Sequence, residues 1–516
     1  MTARIRTISE LDEAIAAADN ARPVPILPLE TGGVDPLGLR QLNFDMMDRC
    51  IPGLNNAAWR LRPYVVMAWA WWQAARIAER DGMQSLLVDV GRRFVDRIEV
   101  MFQTGHLVGR DFGSLPGADG LQARVVRPGG YDFSTPDWEA WHLLRREQGS
   151  LMSPVSYGPS VKEGLGMGFL RSTAGLFAPV DEVMPAVLAL DAQLTPALGH
   201  EAFSSLECGW VPLEQMRQWH ALWRMQDLTR DEVEVGRVAL VGSHRQSPRS
   251  HTFDLIDTIL ASSPSFLDTD ELRLLAARSD MTWSDKPTAH LWRAIQARQL
   301  MRLSLEGMLN WVLAMASDRP VTLDGLVSSF LEMLGDSGQT VLRDWLSKDC
   351  PSKDSVGGVV SPVSLLNDIE GARQWEDPAL CASGLRAAVT ICRDMGEVED
   401  LFGGQPDRLP LARLSRRFRS AEALTMRDVC DLIISELLIG QHVYWAVGRS
   451  GDDTQRLRIV LDEGGWVALR GAGRANPTPD RLYTLLELAA DCGLVERTGS
   501  GYTRALEGNL LPDGAA

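Results

Sequence analysis

Residues 289–316 read AHLWRAIQARQLMRLSLEGMLNWVLAMA, and this stretch decides the fold class. Trp292, Ile295, Leu300, Leu303, Leu305, Met308, Leu309 and Val312 recur at helical spacing. Their apolar face is too broad for a surface helix and belongs in the middle of a bundle. The same period surrounds it. Val66, Trp69, Trp72 and Ile77 follow Pro63, which suits a first helical turn. Met83–Gln103 carries Leu87, Val90, Phe94, Ile98 and Val100. Further helices are expected at Ser9–Ala18, from Asp181 with an interruption at Pro185, through LEQMRQWHALWRMQDL (213–228), and at Thr252–Leu260. Leu323–Leu334, Gln339–Leu346 and Pro378–Met395 complete the set.

Between 105 and 168 the periodicity breaks, and glycine, proline and aromatics dominate: GRDFGSLPGADG, RPGGYDFSTPDWEAW, SPVSYGPSVKEGLGMG. Long irregular stretches of this kind are uncommon inside a domain, so an irregular subdomain packed on the helical body is expected. Polar connectors at GSHRQSPRSH (242–251) and CPSKDSVGGVVSP (350–362) mark further breaks. The resulting division is an N-terminal helical region (1–104), the irregular subdomain (105–180), a central helical body (181–350), a helical connector (351–406) and a C-terminal module (407–516).

That module opens on RLPLARLSRRFRSA (408–421), which holds arginines and no acid. A helical run from Ala421 to about Arg449 follows, then RLRIVLDEGGWVAL, which alternates and turns like a hairpin. The end has a winged-helix look. Thr478 is read as the cap of a helix bearing Leu482, Leu485, Leu486 and Ala489 on one face, and Gly493 ends it. LVER-TGSG-YTRAL then forms two short strands around a glycine turn. The fold class is therefore mainly α, with an α+β winged-helix-like C-terminal module.

Composition narrows the function. Of 516 residues, 45% are hydrophobic and 23% charged, ordinary for a globular protein, and the formal net charge is −16. A chain so anionic does not coat nucleic acid with its whole surface, and any such contact needs a local basic patch. Cysteines 50, 208, 350, 381, 392, 430 and 492 are scattered, without CxxC or zinc spacing, which fits buried thiols in a reducing cytoplasm. Acidic residues interrupt the N-terminus where a signal peptide needs apolar ones. The run Tyr64–Trp72 falls short of the roughly 20 residues a membrane span requires. A cytoplasmic protein with no cofactor, no metal and no membrane contact is expected.

Among candidate sites, GPSVKEGLGMG (158–168) has its lysine before the glycines, where a P-loop needs it after them. His244 and His251 flank Arg245 and Arg249, cations that repel a metal. Trp219, His220 and Trp223 lie between Arg217 and Arg224, and at helical spacing a tryptophan stripe reads as core before it reads as a base-stacking platform. No GxSxG or HExxH occurs, and the catalytic residues, if any, are not identifiable. The strongest candidate is the basic segment. Arg413, Arg416 and Arg417 share one helical face, Arg408 and Arg419 flank it, and their guanidinium forks suit phosphate oxygens. The bland alternative is a solvated face paired to acids. Arg497 and Arg504 lie on the expected wing. The winged-helix polar face offers Arg481, Thr484, Glu487 and Asp491, too acidic for reading base edges.

Several segments together resemble a bacterial family of uncharacterised proteins encoded among phage-defence genes. They are IPGLNNAAWRLRPYVVMAWAWW, FSTPDW with SPVSYGPSVKEGLG, LWRAIQARQLMRLSLEGMLNW, LLIGQHVYWAVGR with RLRIVLDEGGW, and TPDRLYTLLELAADCGLVER. The resemblance implies a cytoplasmic protein that works beside defence enzymes, and it carries over no functional residue. The leading expectation is a non-catalytic subunit (sensor, scaffold or DNA-engaging component) of an anti-phage complex. It would bind the DNA backbone or a partner protein through Arg408, Arg413, Arg416, Arg417, Arg419 and Arg497. The alternative is an effector hydrolase, a nuclease or nucleotide-processing enzyme with a site assembled from distant residues.

Overall fold

A computed structural model describes residues 35–164, 166–242, 247–347, 365–366, 368–369, 377–449, 456–471 and 476–505. The expected helix at Ser9–Ala18 and the connector at 350–362 lie outside these residues, as do His244, Arg245 and Cys350.

The described residues are mainly helical, with four small two-stranded antiparallel sheets. Pro287–Met315 is the longest helix and is buried almost all round, which explains an apolar face with no clear polar opposite. It packs most extensively on Pro378–Asp394 and also meets Arg40–Cys50 and Thr269–Ala277. Leu323–Leu334 has the bounds its pattern predicts: Thr322 caps the start and Gly335, left-handed at φ 62°, ends it.

In the first half, Arg62–Arg80 and Val88–Gly109 pack side by side. Met184–Leu194 and Leu213–His220 lean on them. Pro185 does not interrupt a helix: it sits in the first turn of Met184–Leu194, where a missing N–H is harmless. The stretch read as irregular holds more regular structure than expected. Thr135 caps Pro136–Gln148, accepting from the Trp138 N–H, and strand Gly130–Asp132 pairs antiparallel with Trp210–Pro212. The connector 242–251 is likewise shorter than read, because Ser247 caps a helix over Pro248–Ser262.

Both C-terminal hairpins form, Ile459–Asp462 with Gly465–Ala468 and Val495–Thr498 with Gly501–Arg504. The run expected from Ala421 to Arg449 is broken. It starts at the Thr425–Asp428 capping box, runs over Met426–Leu432, widens into a π-helix at Ile433–Gly440 and closes as Gln441–Arg449. The last helix begins at Leu482, after a left-handed Arg481, and Asp480 rather than Thr478 accepts the Leu482 N–H. That helix is buried against the rest of the chain: Asp491 accepts from Arg60, and Thr484 reaches the carbonyls of Asn55 and Asn56. Among the described residues, nearly all the buried apolar side chains from Leu37 to Tyr502 belong to one cluster. None of the described helices is long and apolar enough to cross a membrane.

Candidate functional site

Helix Leu411–Ser420 is strongly amphipathic. Leu411, Ala412, Leu414 and Phe418 face the body, where the helix packs on Pro378–Asp394, and Arg413, Arg416, Arg417 and Arg419 point outward. Each outward arginine has a partner. Arg413 donates to the Pro406 carbonyl at 3.0 Å. Arg416 pairs with Glu399 at 3.2 Å, Arg417 with Glu436 at 2.5 Å, and Arg419 with Glu397. The three paired side chains are still 53%, 45% and 54% exposed, so they face water as well as their acids. Burial pushes Glu397 upward, but hydrogen bonds from Ser415 and Arg419 outweigh it and hold the carboxyl below its ordinary range.

The other two predicted arginines lie elsewhere. Arg408 precedes the helix, stacks 4.0 Å over the Trp445 ring and donates to the Gly38 carbonyl, fastening the start of the described chain to its C-terminal third. Arg497, on the last hairpin, is held by Glu487 at 3.0 Å and Asp491 at 2.9 Å. The structure thus gathers Arg413, Arg416, Arg417 and Arg419 on one face and separates Arg408 and Arg497 from it.

A second constellation was not legible from spacing. His106 lies in the last turn of Val88–Gly109. Arg110 turns left-handed at φ 63°, and the Asp111 N–H bonds back to the His106 carbonyl at 3.1 Å, which folds Asp111 under its own helix end. His220, the last residue of Leu213–His220, places Nε2 3.0 Å from Asp111 Oδ2, and the two imidazoles meet edge to face at 4.7 Å. Gly109 makes room, since a Cβ there would sit 2.5 Å from His220 Cε1. His106 Nδ1 is 2.9 Å from the Phe102 carbonyl, which fixes the proton on Nδ1 and leaves Nε2 as an acceptor. That Nε2 is buried and has no hydrogen-bond partner. Burial pushes the His106 pKa down, against the pull of the Phe102 carbonyl and Asp111.

The other sequence candidates resolve into packing. Trp219 and Trp223 are core residues against Phe203, and Trp223 also meets Phe102 edge-on. Gly158 is required by its neighbours, because a Cβ there would lie 2.3 Å from the Met152 carbonyl oxygen. Arg249 is buried and donates to the carbonyls of Leu240, Ala239 and Pro52. The described cysteines are all buried thiols, and burial pushes Cys50, Cys208, Cys381, Cys392 and Cys430 up to about 12, far from a thiolate nucleophile. Comparison with family models, with curated proteins and with solved structures finds no match to this chain.

Proposed function

We propose that this chain is a non-catalytic subunit of a bacterial anti-phage defence system and that it holds a partner protein through the charged face of Leu411–Ser420. The observation that carries the reading is the row Arg416, Arg417 and Arg419, half exposed, each paired with an acid from outside its own helix. The pairs of Arg416 and Arg417, exposed on both sides, are worth about 0–1 kcal/mol, so these arginines exchange their acids for a partner's carboxylates at little cost. A duplex would meet Glu399 and Glu436 along with the arginines, and these acids repel phosphates. A protein surface of mixed sign matches both. The sequence resemblance to proteins encoded among defence genes supports the setting.

We read the Leu482–Asp491 helix and the Val495–Arg504 hairpin as a winged-helix-like support and not as a groove reader. Its polar side is already engaged by Arg60 and by the carbonyls of Asn55 and Asn56, which leaves it no face for base edges.

The test is purification of the tagged protein from its own locus, comparing wild type with Arg416/Arg417/Arg419→Glu. Products of the neighbouring genes should stay with the wild type and be lost from the variant at equal thermal stability. Equal retention by both would overturn the reading. Salt-sensitive DNA binding that the variant loses would move it to the DNA backbone instead.

A further inference from the structure

We propose that His106, Asp111 and His220 bind a divalent first-row transition ion of the Zn2+ type, with solvent completing its coordination. The inference is independent of the partner-docking reading and rests on four features of the cluster.

The donor set is right in kind. Two imidazoles and a carboxylate are ordinary ligands for such ions. The donors are also close to the required spacing. With metal–ligand bonds of about 2.0–2.2 Å, tetrahedral donors lie roughly 3.3 Å apart. His220 Nε2 is 3.0 Å and His106 Nε2 3.9 Å from Asp111 Oδ2, and all the donor atoms fall within 4.8 Å of one another. Asp111 is the most exposed of the set, with 27% of its side chain accessible, so it is free to adjust and to admit solvent on that side.

The outer shell is built as metal sites build it. His106 Nδ1–H is spent on the Phe102 carbonyl, the arrangement that orients a ligating imidazole and presents its other nitrogen as a lone pair. That nitrogen is buried and without a partner, and in a packed interior such a group calls for one. A mere structural dyad of His220 and Asp111 leaves this nitrogen unexplained.

The electrostatic setting favours a cation. Val88–Gly109 and Leu213–His220 both end at the cluster, so the negative ends of two helix dipoles converge there. The Arg62 guanidinium, whose charge works against a cation at His106, is paired with Glu232 at 3.2 Å.

The experiment uses full-length protein stripped with a chelator, titrated with ZnCl2 by calorimetry and with Co2+ in the visible spectrum. Wild type should take up a single Zn2+ per chain and give the Co2+ bands of a four-coordinate nitrogen and oxygen site. Loss of an outer-shell partner alone costs about 10–100-fold in affinity, so Asp111→Asn and His220→Gln, which remove ligands, should each weaken binding by more than about 100-fold. Asp111→Asn keeps the size of the side chain and its hydrogen bond to His220. Its circular dichroism and metal-free melting should match wild type, which separates lost binding from lost folding. Absence of stoichiometric zinc in the wild type, or wild-type affinity in Asp111→Asn, would overturn the assignment.

Discussion

Replacing Arg62 by Met should destabilise the protein severely, and replacing Glu232 by Gln should cost less in that variant than in the wild type. Both side chains are wholly inaccessible, with Arg62 Nη1 3.2 Å from Glu232 Oε1. The guanidinium also donates to Gln193 at 2.8 Å and to the Asp227 carbonyl. At an effective dielectric of about 20 the attraction at this separation is about 5 kcal/mol, and removing one member of a buried pair typically costs about 3–5 kcal/mol because the other charge stays buried. Glu232 has a second duty: it closes the capping box of Arg230–Val241 by accepting the Thr229 N–H at 2.7 Å. Gln keeps that bond and drops the charge, so Arg62→Met/Glu232→Gln isolates the electrostatic part. The assay is the midpoint of the first urea transition, followed by tryptophan fluorescence, for wild type, both single variants and the double. Arg62→Met should lose about 3–5 kcal/mol, and the double should be more stable than the sum of the singles by about 1–3 kcal/mol. Additivity within about 0.5 kcal/mol would refute the reasoning, as would a loss below about 1 kcal/mol for Arg62→Met.

Glu99 gives a pH prediction of opposite sense to an ordinary carboxylate. Burial, and next the Asp96 charge, push it up to about 7 against the pull of Arg145. A folded-state pKa above the unfolded value means that the native state holds the proton longer, so stability is lost as pH rises through the window from the ordinary glutamate value toward 7. Glu99→Gln removes that dependence, and urea midpoints should move in favour of the variant across this window; a difference independent of pH would refute the assignment. Gly109→Ala sets a methyl 2.5 Å from a His220 ring that is held by Asp111, which requires the ring to leave Asp111 or one of the two helices to move. Overpacking of this kind costs about 1–3 kcal/mol, partly offset by about 0.5–1 kcal/mol of helix preference, so thermal melting should fall and not rise.

Much of the helical frame was legible because its signals are local. Thr322 and Gly335 bound a helix whose limits can be read residue for residue, and Pro378 opens another at its first turn. The outward row Arg413, Arg416, Arg417 and Arg419 was legible for the same reason, since helical spacing alone puts these residues together. Their acids were not, because Glu397, Glu399 and Glu436 come from outside the helix. The helix Pro136–Gln148 has a Thr-Pro-Asp start, but the glycines and aromatics around it mask the helical period. His106 and Asp111 are joined by the turn of a helix C-terminus, which leaves a trace in the sequence, but His220 arrives from another helix, and no spacing rule spans that interval. Arg298 and Arg302, on the central helix, show the limit of composition. They are fully buried, Arg298 on the carbonyls of Leu409 and Arg408 and Arg302 on Glu306, where an isolated reading of arginine places it in water.

The most direct measurement is phage plating efficiency on a host carrying the native gene cluster with wild-type protein, with Arg416/Arg417/Arg419→Glu, or with the gene deleted. If the charged face of Leu411–Ser420 is where the chain grips its partner, the charge-reversed variant should be as permissive as the deletion while accumulating to wild-type levels. Protection equal to wild type by that variant, or a deletion that leaves plating unchanged, would contradict the account.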